Sequence, residues 1–289
     1  MVSYNPNAWF TFIFNFHKAD TFRQLLPAIA GIGVYCAAVI YFEIDFWKIT
    51  EAGHAKNLTV MHSLLGFVIS MLLVFRTNTA YERWWEGRKQ WGDLVNSSRT
   101  FAVKIAAFVT EGREKKFFSE ILGLYARTLR NHLQGQPHDL QELAALGMQG
   151  EFTKHIPNLI TKTITARVAK LHKTKKLTDT QFLALNSELR NFTDICGACE
   201  RIKNTPIPYS YSAFIKKFIF FYTMTMPFGH AFTLGYLAIP VVIFIFYVLA
   251  SLELIAEEIE DPFGSDANDL PLTQISTTIR NNVAEILEA

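Results

Sequence analysis

The chain has 289 residues, 50% of them hydrophobic and 19% charged, with 28 Lys and Arg against 26 Asp and Glu. That apolar share excludes intrinsic disorder, a collagenous repeat and a disulfide-stapled miniprotein, and a net charge of +2 is too small to imply a nucleic-acid partner. The charges are still too many for a wholly embedded membrane protein, so part of the chain faces lipid and part faces water.

Apolar runs give the class. Leu25 to Phe42 is uncharged over a length near the lower limit for crossing a bilayer, and Val60 to Phe75 is slightly shorter and carries His62. His17, Lys18, Asp20 and Arg23 precede the first run, so it does not read as a cleaved signal peptide. Phe218 to Phe228 follows Lys216 and Lys217, and a tight Pro-Phe-Gly turn is expected to separate it from the uncharged run Phe232 to Leu252. Four transmembrane helices are therefore predicted. A set of buried core helices is the competing reading, and it fits poorly with uncharged runs of this length.

Orientation follows from the Lys and Arg residues beside the runs. Arg76, Arg83, Arg88 and Lys89 follow the second run, and Arg201, Lys203, Lys216 and Lys217 precede the third. Only Lys48 and Lys56 lie between the first two. Both termini are thus expected in the cytoplasm, in a multi-pass protein of the cell membrane.

Residues 76–212 read as a water-facing helical region. Phe101, Ile105, Phe108 and Val109 mark one amphipathic face, and breaks are expected at Gly135-Gln136-Pro137 and Ile156-Pro157. Thr178 and Gln181 predict a capping box opening a helix over 182–192. The expected architecture is all-α, divided as residues 1–75 (an N-terminal helix and two spans), 76–212 (cytosolic), 213–254 (two spans) and 255–289 (a cytosolic tail).

Catalytic signatures are missing. The sequence holds no HExxH, GxSxG, Walker or GxGxxG motif, and its eight histidines show no metal spacing. Cys196 and Cys199 have redox-motif spacing, but no strand precedes them and no second CxxC exists for zinc. His62 inside a run reads as a hydrogen-bonded helix contact, with a pore or proton-relay role as the alternative. Carboxylates gather after Leu252, where a solvated acidic helix end competes with a hard-cation site. No cofactor is required. Phe67, Met71 and Phe75 lie at i, i+4 and i+8, one line along a helix. Stacked around an axis, such a line would form apolar rings that gate by dewetting. Spacing alone favours ordinary packing for any such line.

Longer strings narrow the choice. FNFHKADTFRQLLP near the start, FRTNTAYERWWEGRKQWGDLVNSSR from Phe75, CGACERIKNTPIPYSY from Cys196 and EDPFGSDANDLPL from Glu260 together resemble the bestrophin family, in its prokaryotic branch. The resemblance covers nearly the whole chain. It implies a homopentameric channel in membrane lipid, with four transmembrane helices per subunit around one axial pore that passes small monovalent ions. Animal members conduct chloride and similar anions, whereas a bacterial relative conducts monovalent cations such as sodium.

The resemblance also assigns residues. It places Phe67, Met71 and Phe75 in the pore neck. A second, cytosolic aperture falls at Thr180, where the family usually has an apolar residue. Asp261, Asp266 and Asp269 match the calcium-binding acidic stretch of animal members, with Ala267 and Asn268 replacing acidic residues. In the block Arg83-Trp84-Trp85-Glu86, Arg83 and Glu86 are expected to pair at i, i+3, and the tryptophans to sit at a membrane interface or subunit contact. A membrane-anchored helical interaction protein without ion flux is the alternative.

Overall fold

The structure is a computed structural model describing residues 21–46, 54–146 and 155–288. Residues 1–20, with Lys18 and most of the expected N-terminal helix, lie outside them, as do Lys48 and residues 147–154. No strand occurs among the described residues.

Nine α-helices follow one another there. They are α1 (Thr21–Tyr41, continued by a π-turn, Phe42–Phe46), α2 (His54–Phe108), α3 (Gly112–Gln134) and α4 (Leu140–Ala145). After them come α5 (Ile156–Lys173), α6 (Asp179–Asn204), α7 (Tyr209–Leu234), α8 (Ala238–Glu260) and α9 (Leu272–Glu288). Among the described residues, three stretches are long and apolar enough to cross a membrane: Thr21–Phe46, Leu58–Phe108 and Tyr209–Glu260. The last contains both α7 and α8.

Helix ends follow local chemistry. Gly135 ends α3 in the left-handed conformation, φ 64°, and its amide and that of Gln136 satisfy carbonyls of the last turn. Pro157 occupies the first turn of α5, where its missing N–H costs nothing. The Thr178–Gln181 capping box is formed on both sides, at 3.3 and 3.0 Å, and the helix it opens runs past residue 192 to Asn204.

One expected break is displaced. Pro227, Phe228 and Gly229 do not turn the chain, and α7 passes through them to Leu234. A proline removes one intrahelical hydrogen bond and leaves the rest of the ladder intact. In an apolar surrounding, unwinding would expose several backbone groups instead. The chain reverses at Gly235, whose φ of 55° suits a residue without Cβ. The fourth apolar helix therefore begins at Ala238, not at Phe232.

Two hydrophobic cores stand apart, and α2 threads both. One gathers Ile29, Cys36, Ile69, Leu73, Ile215, Ile219, Val242 and Phe246 from α1, α2, α7 and α8. The other gathers Trp91, Phe101, Ile105, Tyr125, Ile160, Phe192, Phe263 and Val283 from α2, α3, α5, α6, the loop after α8 and α9. The division expected between Phe75 and Arg76 thus falls inside one unbroken 55-residue helix. The C-terminal segment is more than an acidic tail. Its residues 272–288 form α9, which buries Leu272, Ile279, Val283 and Leu287 and packs along α3 and α2. That spacing is the stripe of an amphipathic helix.

Candidate functional site

The upper part of α2 has two unlike faces. His62, Ile69, Leu73, Arg76 and Ala80 are buried, at spacings of 7, 4, 3 and 4 residues. Phe67, Met71 and Phe75 are 71%, 50% and 52% exposed. At 3.6 residues per turn, the centres of these two stripes lie about 170° apart around the helix. The three residues assigned to the neck therefore share one face, directly opposite the buried seam. Polar residues on this part of the helix spend their hydroxyls internally. Ser63 donates to the Thr59 carbonyl at 3.0 Å, Ser70 to Gly66 at 2.7 Å, and Thr79 to Phe75 at 2.9 Å. The exposed face is left apolar.

Tertiary contacts hold that face outward. The Tyr222 hydroxyl of α7 donates to the His62 carbonyl, and a Cβ added at Gly66 would stand 2.7 Å from that hydroxyl. Glycine is what lets the two helices approach here. His62 lies 2.8 Å from the Leu58 carbonyl through Nδ1 and 3.0 Å from the Thr225 hydroxyl through Nε2, a helix–helix contact. Tyr211 donates to the Leu72 carbonyl at 3.3 Å.

One turn below Leu72, Arg76 is 1% exposed and pairs with Glu260 at 2.7 Å and with Glu253 at 3.5 Å. Glu260 also accepts the Ile207 amide at 2.6 Å, so one carboxylate joins α2, the end of α8 and the loop before α7. Arg83 donates to the carbonyls of Ile202 at 2.6 Å, Glu260 at 3.2 Å and Thr205. Glu86 is instead held by Lys89 and, at 2.9 Å, by Gln90, so the expected Arg83–Glu86 pair does not form. The carbonyls ending a helix have no intrahelical donor, and a guanidinium reaching them gains more than from an exposed carboxylate three residues away. Trp84 donates to the Asn268 carbonyl at 3.1 Å, and Trp85 remains half exposed, stacked with Tyr81.

Thr180 lies far along the chain from this face. It is exposed in the first turn of α6, inside the capping box. Farther along α2, a cleft of about 780 Å³ between α2 and α6 is lined by Asp93, Asn96, Asn191, Asp194 and Arg201, among others. Both signs of charge occur on its wall.

The segment between α8 and α9 is a compact loop. Leu270 donates to the Pro262 carbonyl at 3.0 Å, and Asp261 Oδ1 accepts the Phe263 amide at 3.3 Å. Asp269 is 2% exposed, accepts the Asp266 amide through Oδ2, and leaves Oδ1 buried without a partner. Burial pushes its carboxyl up to about 6, opposed by the Asp266 amide and reinforced by the charges of Asp266, Asp261 and Glu258. Because this pKa is raised, the folded loop holds a proton that the unfolded chain releases. The stabilising contribution is complete below the ordinary carboxylate pKa and is lost as pH rises through about 6. The apparent melting temperature of the wild type should therefore fall between pH 4.5 and pH 7 relative to Asp269→Asn, which keeps the shape without the charge. At pH 7 the variant should melt a few degrees higher. Parallel melting curves for the two proteins across that window would show that Asp269 is ionised and fully compensated.

The sequence matches the family model described as Bacterial/Fungal Bestrophin protein over residues 1–285. The chain belongs to the bestrophin family. It is 33% identical over 275 residues to a voltage-dependent anion channel-forming protein of Synechocystis sp., covering 92% of this chain and 89% of the relative. A protein of the same description from Nostoc sp. is 36% identical over 228 residues, covering 76% and 74%. The fold superposes on a bacterial bestrophin homologue from Klebsiella pneumoniae with a TM-score of 0.80 at 24% identity, over 91% of this chain and 98% of that one. The family is one of membrane ion channels and not of enzymes.

Two further clusters of this bestrophin lie away from that face. His132 at the end of α3, His155 capping α5 and Glu200 in α6 converge, although 23 and 45 residues separate them along the chain. Burial would raise the Glu200 carboxyl, but hydrogen bonds from His155 and His132 outweigh it and hold the group below its ordinary value. Cys196 and Cys199 are buried and free. Burial pushes the Cys196 thiol up to about 12 and the Cys199 thiol higher still, opposite to the shift a redox cysteine needs.

Proposed function

We propose that this bestrophin is a homopentameric channel for passive flux of small monovalent ions, in which five copies of α2 surround one pore. The apolar face of Phe67, Met71 and Phe75, exposed opposite a buried seam, is the observation that supports it most. A lone chain leaves that face uncovered, and a ring of five copies turns it inward as three stacked constrictions that gate by wetting and dewetting. The membrane-spanning parts are α1, upper α2, α7 and α8, and both termini face the cytoplasm of a multi-pass cell-membrane protein. Residues 76–212 then hang below the membrane as the cytosolic region. Thr180 is the residue assigned to the second, cytosolic aperture, where its hydroxyl makes a wetter ring than an apolar side chain would.

The relatives are named for anion flux, and chloride is the first ion to test. The neck carries no charge, and the cleft below it carries both signs, so monovalent cations such as sodium remain compatible with this pore. Calcium is a subsidiary reading for the loop. Asp261, Asp266 and Asp269 stand close enough that their charges raise Asp269, and a hard cation would relieve that repulsion as a proton does.

Purified protein should run in detergent with a mass of five chains, and in planar bilayers it should give single-channel currents. Reversal potentials under a salt gradient read the sign of the ion. Verified pentamers that never conduct would overturn channel activity. A monomer or dimer mass would support the membrane-anchored interaction protein instead.

A further inference from the structure

We propose that His132, His155 and Glu200 form a binding site for a divalent transition metal, with zinc as the ion that fits best. Three side chains from three separate elements bring one ligand atom each within 4.8 Å of one another. His132 Nε2 lies 2.7 Å from Glu200 Oε1, and His155 Nε2 contacts the same oxygen. The two imidazole rings have centroids 4.5 Å apart. Each side chain is about 30% exposed, so an ion reaches the cluster from solvent and keeps a fourth position for water or another ligand.

Chemistry selects the metal class. Two imidazoles and one carboxylate make a borderline donor set that suits zinc and its first-row neighbours, whereas calcium and magnesium prefer oxygen ligands throughout. The ring nitrogens that face Glu200 must be free of protons for a metal to take them. His155 Nδ1 accepts the Asn158 amide at 3.2 Å, so its neutral ring carries the proton on Nε2 and donates it to Glu200. Metal at Nε2 requires that proton to leave and the ring to carry its hydrogen on Nδ1, which breaks the contact to Asn158. One N-cap hydrogen bond is a small loss beside the affinity of zinc for three such ligands.

A bound ion would tie the end of α3 and the start of α5 to α6. That position makes it a clip within the cytosolic core, distinct from the proposed pore and from the acidic loop after α8. The site does not depend on channel activity, and its failure leaves that reading untouched.

The test uses the full chain, purified in detergent without an affinity tag and stripped with chelator. Titration with zinc against a chromophoric competitor should give one ion per chain, and cobalt in its place should give the visible bands of a four-coordinate site. Glu200→Gln preserves shape and should weaken zinc at least 100-fold, with His155→Ala as the second variant. Zinc should raise the apparent melting temperature of the wild type and not that of Glu200→Gln. Absence of stoichiometric zinc in the wild type would overturn the site. Equal zinc affinity in the wild type and in a folded Glu200→Gln would overturn it too, since the ion would then sit elsewhere.

Discussion

Alanine at Phe67, Met71 and Phe75 together should raise single-channel conductance by about tenfold or more, the change expected when an entry barrier falls by about 1.4 kcal/mol. The reasoning begins with exposure. These side chains fill no core of their own chain, so truncating them leaves no buried cavity and removes little folding energy. Their cost is paid by the permeating ion, which must shed water inside an apolar ring. Smaller side chains widen each ring and let water remain continuous through it. Single substitutions should act in part only, because two intact rings still impose a dry stretch. Leu73→Ala is the matched control, since Leu73 is 1% exposed and belongs to the buried seam. It should lower stability by about 2–5 kcal/mol with far less effect on conductance. Planar-bilayer recordings of the wild type, the triple variant, the three single variants and Leu73→Ala decide the matter. Unchanged conductance in the triple variant would remove this face from the pore, and a larger response in Leu73→Ala would put the seam there instead.

The same helix shows what a sequence can and cannot disclose. The line Phe67, Met71, Phe75 is legible because a helix repeats every 3.6 residues and two successive spacings of four keep one face. Which apolar face is covered depends on where α7 and α8 pack, and the run Val60 to Phe75 is apolar almost all round. Family resemblance supplied that choice, and in the structure Ile69 and Leu73 are buried while Phe67, Met71 and Phe75 are exposed. Local rules failed where distant groups compete for one side chain. Arg83 and Glu86 have pairing distance on a helix surface, yet the carbonyls ending α6 capture the arginine. Pro227 and Gly229 read as a turn because both are poor helix formers in water. Packed among α2 and α8, the same residues continue a helix, and the reversal waits for Gly235. Helix α9 is a different kind of miss. Its apolar stripe was present in the spacing of Leu272, Ile279, Val283 and Leu287, and the acidic stretch before it drew attention to charge instead. The His132, His155 and Glu200 cluster has no local signature at all, because three helices assemble it.

Replacing Arg76 by Met should lower the apparent melting temperature in detergent by on the order of 10 °C, the largest stability loss expected of any single change beneath the neck. Arg76 has 1% of its side chain exposed and faces two carboxylates, Glu260 at 2.7 Å and Glu253 at 3.5 Å. Glu253 is itself buried, and neither of its oxygens has a hydrogen-bond partner. Its charge is tolerated because the guanidinium stands beside it. Removing one member of a buried pair typically costs about 3–5 kcal/mol, since the other charge is left in a low-dielectric surrounding. Glu260 loses less, because it still accepts the Ile207 amide at 2.6 Å. The effect should therefore be carried mainly by Glu253, and this is separable. Adding Glu253→Gln to Arg76→Met removes the stranded charge and should recover much of the lost melting temperature, whereas Glu253→Gln alone should cost little. Strict additivity of the two changes would show that Arg76 acts through Glu260 and the α6–α7 loop, not through Glu253. The position gives the pair its interest for function. Arg76 follows the last neck residue, Phe75, and its partners lie on the last turns of α8, next to the acidic loop. One buried ionic contact thus links the proposed gate to the α6–α7 and α8–α9 loops, and a shift in either loop would reach the proposed neck through it.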